Sequence, residues 1–253
     1  MINPSSFSTS RRNVLSLLAA GCAFASAGAS RAFAQGAGLT SIKIATIGSG
    51  HEGGSLGTLF AKLGHPVMFS SRHPEDLKDL VAAAGPTARA GTVAEAVAFS
   101  DVVFLVVPYS AVPQIGQDFG SALATKQLVV DVSNPTARDG QDLMNQITSA
   151  GGVGLFAAKV LQGARIVRAF NALHTPSLAA IANRPAGQGG PVGVPIAGND
   201  PKAIDLASRL TREIGFEPVL IGDLAKAKYL VPGSPISGLH TAAELRQIAA
   251  GLS

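Results

Sequence analysis

The chain is poor in sulfur and in large aromatic side chains, with one cysteine, no tryptophan and two tyrosines among 253 residues. The single cysteine, Cys22, falls in a stretch that reads as a cleavable leader, so the remaining domain can form no disulfide, offer no thiol nucleophile and build no thiolate metal site. Charged residues make up 14% of the chain, without charge runs or internal repeats. No apolar run reaches the roughly 20 residues that a spanning helix needs, which argues against stable membrane insertion.

The leader is residues 1–34. A polar start, the pair Arg11-Arg12, an apolar run from Val14 to Ala20 and small residues ending Ala32-Phe33-Ala34 predict cleavage after Ala34, leaving Gln35 first. Ser10-Arg11-Arg12-Asn13-Val14-Leu15 resembles the twin-arginine export consensus, with Ser16 where lysine is often found, so the translocase of that route is an expected partner and the periplasm or another extracytoplasmic space the expected location. Leu18-Ala19-Ala20-Gly21-Cys22 is a weaker rival, a lipoprotein box with Ala19 where leucine is preferred. Removing Arg11, Arg12 and Arg31 from the 20 basic residues leaves 17 against 16 acidic ones. Near neutrality gives no electrostatic footprint for nucleic acid.

From Ile42 onward, short β-branched apolar runs alternate with amphipathic stretches, the pattern of repeated βαβ units. Strands are predicted at Ile42–Ile47, Val67–Ser70, Ala88–Ala90, Val102–Val107, Leu128–Val132, Ile166–Ala169, Val192–Ala197 and Pro218–Ile221. "VVFLVV" and "LVVDV" are apolar on both faces, as strands covered by helices on each side must be. Asn199-Asp200-Pro201 caps a helix through "KAIDLASRLTREIG" that Gly215 closes. The expected fold is α/β, a Rossmann-type doubly wound, mostly parallel sheet over residues 39–172, preceded by a linker at 35–38 and followed by a small α/β extension at 173–253.

Gly48, Gly50 and Gly53 form a G-x-G-x-x-G that leaves a strand and opens a helix, which is the context a dinucleotide cradle requires. Gly48 permits the tight turn, Gly50 leaves room for a pyrophosphate, and Gly53 lets helix and strand approach. The second strand ends Ser70-Ser71-Arg72-His73. An acidic residue there would hold the ribose 2′-hydroxyl of NAD; two hydroxyls and a guanidinium suit the 2′-phosphate of NADP instead, the alternative being a capped turn in which Ser71 and Arg72 only start the helix after Pro74.

"IGSGHEGGSLGTLFAKLGHPVMFSSRHPEDL", "DVVFLVVPYSAVPQI", "VVDVSNP", "RIVRAFNAL" and "VLIGDLAKAKYLVPGSP" together resemble the NADP-dependent deazaflavin reductase family, the 8-hydroxy-5-deazaflavin:NADP oxidoreductases, and the related NADP-binding ferric reductase domains. The resemblance implies that the glycine loop (Gly48, Ser49, Gly50, His51, Glu52 and Gly53) and Ser70, Ser71 and Arg72 bind NADP. It implies that Val107-Pro108 and Asn134-Pro135 line the path from adenosine to nicotinamide, that Ala169, Phe170 and Asn171 lie near the nicotinamide with Phe170 as an apolar wall, and that the protein is a homodimer. His51 stands where the family usually has asparagine, and Asp76 where relatives often place lysine.

The histidines are His51, His65, His73, His174 and His240, none with a carboxylate or lysine at a recognisable catalytic spacing. His174 is the best-placed proton donor, with helix capping as its alternative role. The candidate catalytic residues are therefore Asn171, Phe170 and His174, and no metal site is expected. Direct hydride passage between flat rings needs placement more than a general acid. The expected activity is hydride transfer between NADP(H) and a deazaflavin or flavin-type co-substrate. Two rivals remain: a non-catalytic NADP-binding protein, and a periplasmic reductase of a quinone, a metal or a small carbonyl compound.

Overall fold

Eight short apolar runs become the eight strands of one sheet, ordered β3-β2-β1-β4-β5-β6-β7-β8. They are β1 Ile44–Ile47, β2 Val67–Ser70, β3 Ala88–Gly91, β4 Val102–Leu105, β5 Leu128–Asp131, β6 Ile166–Ala169, β7 Gly193–Gly198 and β8 Glu217–Gly222. All pairings are parallel except β6 with β7. The first six strands follow the doubly wound order, with β7 and β8 added beyond β6. The computed structural model describes residues 41–173, 178–185 and 188–252. The expected leader, the linker and His174 lie outside the described residues, and the chain beyond Gly38 forms one unit.

Side chains on β4 show why both faces are covered. Val102 and Phe104 join one core with Ile44, Phe69, Leu128 and Val130, whereas Val103 and Leu105 join a second core with Ala45, Ile47 and Val129. Alternate residues of a strand point to opposite faces, so a run apolar at every position needs helices on both sides. The first face is covered by α1 (His51–Lys62) through Leu56 and Phe60 and by a later helix, Pro201–Glu213; the second by α2 (Val93–Phe99), α3 (Val112–Leu123) and α4 (Val153–Val160). Each such side chain removed from water contributes about 1.5–3 kcal/mol before conformational entropy is counted.

Local signals set the helix ends. In α5 (Pro201–Glu213), the Asp200 side chain accepts from the Ala203 N–H at 2.9 Å, Pro201 occupies the first turn, and Ala203, Leu206, Ala207 and Leu210 form the buried stripe at helical spacing. Gly215 follows at φ +89°, a conformation suited to glycine.

The sheet also encloses charge. Asp131 ends β5, Arg168 lies directly opposite it on β6, and both side chains are fully buried. Arg168 Nη1 donates to Asp131 Oδ2, while Nη2 donates to Ser133 O (2.9 Å), Leu230 O (3.2 Å) and Asn134 Oδ1 (3.4 Å). Asp131 Oδ1 accepts the Ser133 N–H at 2.9 Å. Nearby Tyr109 donates to Val153 O at 2.8 Å, and its phenol is pushed upward, first by burial and then by the charge of Asp131, so it stays neutral.

A buried ion is costly when its partner is removed and much less so when both are replaced. Asp131→Ala should therefore lower unfolding free energy by about 3–5 kcal/mol, whereas Asp131→Leu combined with Arg168→Met should lose far less. Urea denaturation curves of the three proteins check this; equal losses in the single and double variants would contradict it.

Candidate functional site

The loops that leave the C-terminal ends of β1, β2, β4, β5 and β6 gather on one edge of the sheet, and the strand order reverses between β1 and β4, where open α/β sheets place their ligands. The glycines at this edge divide two tasks. A Cβ on Gly48, at φ +92°, would stand 2.1 Å from Val106 O, and one on Gly53 would stand 2.0 Å from Gly48 O. Those two are glycine because the protein's own backbone leaves no room. A Cβ on Gly50 would meet nothing within 4 Å. Its glycine leaves open space directly before the first turn of α1, where Gly50 is the N-cap and brings no side chain of its own to the helix N-terminus. The cradle thus fits a pyrophosphate by its shape and by its place at a helix N-terminus.

Around it, Ser49 is committed to the fold, its hydroxyl donating to Ser70 O at 3.0 Å and lying 3.2 Å from Thr46 Oγ1. Glu52, in the first turn of α1, has its carboxyl raised by burial, an effect partly opposed by the charge of His51, which is exposed. Ser70 is wholly buried, with its hydroxyl unpartnered, so the surface at the end of β2 belongs to Ser71 and Arg72. Ser71 Oγ accepts the His73 N–H at 3.0 Å, which is the turn role expected as its alternative. Arg72 is exposed and forms no ion pair among the described residues, while Glu75 lies 3.4 Å from His73. The neighbouring acids therefore leave the guanidinium open.

On the other side of the switch point, Val107, Asn134 and Pro135 are half-buried and Pro108 is exposed, whereas Ala169 belongs to the core. Asn134 Nδ2 donates to Asn171 O at 2.8 Å, and Asn171 Nδ2 donates to Asp131 O and Ser133 O at 3.1 and 3.2 Å. Arg168 has only donors to offer, so it fixes which end of the Asn134 amide faces it. Asn171 Oδ1 is left buried and without a partner. Phe170, expected as an apolar wall, instead turns its ring into the core edge-on to Phe216, with centroids 5.9 Å apart. Its backbone φ of +68° is rare for a bulky residue, and this reversal redirects the chain between the buried Arg168 and Asn171. A cavity of about 400 Å³ lies beyond β4 and β5, lined by Pro108, Ser110, Asn134, Thr136, Arg138 and Asp139. Among the described residues no cluster of His, Cys, Asp or Glu could hold a metal, and no helix is long and apolar enough to cross a membrane.

Residues 43–135, which contain the glycine loop, the end of β2 and the loops after β4 and β5, match the family described as NADP oxidoreductase, coenzyme F420-dependent. That matched stretch is where this chain is similar to an NADP oxidoreductase family. Over 189 residues, 74% of this chain, the sequence is 28% identical to the metalloreductase STEAP3 of Rattus norvegicus, of which it spans 35%. A hypothetical protein of Sinorhizobium meliloti shares the fold at a TM-score of 0.63 and 26% identity, over 79% of this chain and 93% of that one. A protein of Arthrobacter sp. FB24 assigned as an F420-dependent NADP-reductase shares it at a TM-score of 0.61 and 22% identity, over 74% and 88% of the two chains.

Sequence reading missed Asp131, Ser133 and Arg168. The signal was available, because a charged residue inside an apolar strand needs a buried partner, and each of "LVVDV" and "RIVRAF" supplies one. It also missed Ser110, Thr136, Arg138 and Asp139, whose juxtaposition comes only from the fold.

The glycine geometry separates binding from folding. Gly50→Val should leave the unfolding midpoint nearly unchanged and abolish NADP binding in a titration. Gly53→Ala should destabilise the fold itself, since its Cβ meets backbone that cannot yield. Unimpaired NADP binding by Gly50→Val would place the cofactor elsewhere.

Proposed function

We propose that the protein transfers a hydride between NADP(H) and a flat acceptor of deazaflavin or flavin type. The observation that carries this reading is the pairing of an open cradle at Gly50 with an uncommitted guanidinium at Arg72 on one side of the switch point and interlocked amides at Asn134 and Asn171 on the other. Arg72, with Ser71 beside it, would take the 2′-phosphate, and the α1 N-terminus the pyrophosphate. NADPH supplies the hydride, two electrons with one proton; the acceptor takes that hydride and a further proton from water. Asn171, whose side-chain amide is buried against Asp131 O and Ser133 O, would act by holding the chain after β6 in position beside the nicotinamide. Among the described residues the groups at this mouth are amides, hydroxyls, a guanidinium and a carboxylate already saturated by donors, an arrangement better suited to placing rings than to exchanging protons.

The similarity to a metalloreductase favours a second reading in which a metal ion is the final acceptor. Stopped-flow oxidation of NADPH with a free flavin, and separately with a ferric chelate, distinguishes the two; no oxidation by either leaves a non-catalytic binder. NADPH should bind more tightly than NADH by about 1–3 kcal/mol, and Arg72→Ala should remove most of that difference. Equal affinities of the unmodified protein for the two nucleotides would refute the assignment of Arg72.

We further propose export by the twin-arginine route. That route carries folded proteins, so a tightly held NADP could leave with the chain and be recycled outside. Replacing Arg11 and Arg12 together by lysine should retain the precursor in the cytoplasm, as fractionation and N-terminal sequencing would show. An acylated Cys22 in the unmodified protein would mean a lipid anchor instead.

A further inference from the structure

The cavity beyond β4 and β5 can be accounted for polar group by polar group. Asp139 Oδ1 accepts the Ser110 N–H at 2.9 Å, and Oδ2 accepts both the N–H and the hydroxyl of Thr136, at 2.7 and 2.9 Å. Partial burial works against the charged form, yet these donors, with the Ser110 hydroxyl among them, hold the Asp139 carboxyl below its ordinary range. Asp139 is thus ionised but has its oxygens occupied. Thr136 Oγ1 accepts the Arg138 N–H at 3.3 Å, and both ends of the Asn134 amide are spent on Arg168 and Asn171 O. That leaves Arg138. Its guanidinium is exposed on the cavity wall, and among the described residues it makes no hydrogen bond or ion pair.

We propose that Arg138 forms an anion subsite for the acceptor, receiving a phosphate or carboxylate that a flat redox partner carries on its side chain. The inference rests on the hydride-transfer reading and adds the class of acceptor, an anionic one. Asp139 cancels the formal charge of Arg138 at a distance. Selectivity therefore comes from hydrogen bonding: the carboxylate lone pairs are filled, whereas the guanidinium keeps a planar fork of N–H donors that matches an oxyanion. The site lies across the switch point from Arg72, so one guanidinium serves the cofactor phosphate and the other serves the co-substrate.

FMN and riboflavin share a ring system and differ by a terminal phosphate, which makes them the probes. Fluorescence titration of the NADP⁺-loaded protein should show FMN bound about ten-fold more tightly than riboflavin, the scale of one charge-assisted contact. Arg138→Ala should bring that ratio close to one, Arg138→Lys should keep part of it, and inorganic phosphate should weaken FMN binding selectively. The proposal is overturned if the unmodified protein shows no preference for FMN or if Arg138→Ala keeps it. It is equally overturned if Arg138→Ala loses NADPH affinity in the same proportion, which would place the arginine in the cofactor site. NADPH oxidation with the two flavins is read separately. Phosphate-dependent binding without turnover sinks hydride transfer and leaves the subsite standing; turnover with an unchanged FMN preference in Arg138→Ala does the reverse.

Discussion

The edge of the sheet that carries the site depends on one buried ion pair. Arg168 and Asp131 sit opposite each other at the ends of β6 and β5 with no exposure to water. A guanidinium in that position must satisfy its donors internally. Its two Nη groups do so through Asp131, Ser133 O, Asn134 Oδ1 and Leu230 O, the last 62 residues beyond Arg168, while Nε is left without a partner. The Coulombic gain of such a pair is largely offset by desolvation, so its structural effect is to specify an arrangement more than to add stability. The C-terminal segment and the Asn134 amide are fixed together because one cation reaches both.

That arrangement passes to the neighbouring backbone. Phe170 adopts a positive φ between Arg168, whose position is fixed by its bonds, and Asn171, whose amide nitrogen is held by Asp131 O and Ser133 O. The ring of Phe170 packs on Phe216 in the core, and this packing helps hold a backbone conformation that costs roughly 1–3 kcal/mol. Strain at this point has a consequence for geometry. It lets consecutive residues serve opposite needs, Phe170 filling the core and Asn171 facing the loop after β5. On the cofactor side, sterics do the same work: Gly48 and Gly53 are compelled by close backbone, while Gly50 keeps space open.

The eight strands were legible because each is a short apolar run and the doubly wound arrangement makes both faces of the sheet hydrophobic. The glycine loop was legible because its spacing encodes a turn, an approach and a packing contact at fixed offsets. Residue roles after β6 were not. "RAFN" reads as apolar residues near a ligand, and nothing local shows that Phe170 turns inward while Arg168 is sealed beneath. Those orientations follow from one positive φ and from partners 34 to 62 residues away in sequence. The antiparallel entry of β7 was equally hidden, since its six buried residues look like those of any central strand.

Three arginines show why composition says little about a site until the fold sorts it. Arg168 is buried and ion-paired, whereas Arg72 and Arg138 are exposed without ion pairs among the described residues. The acids nearest those two in sequence are engaged elsewhere, Glu75 beside His73 and Asp139 with Ser110 and Thr136. An exposed ion pair contributes little to stability, so leaving these guanidiniums unpaired costs the fold almost nothing. For an incoming anion the difference is larger, because donors that need not first break an internal bond are already disposed to bind. A formal net charge of +4 over 253 residues and two locally open cations are thus compatible. The protein presents separate forks at the two sides of one switch point, and the distance between them is set by the same sheet that the buried pair holds in register.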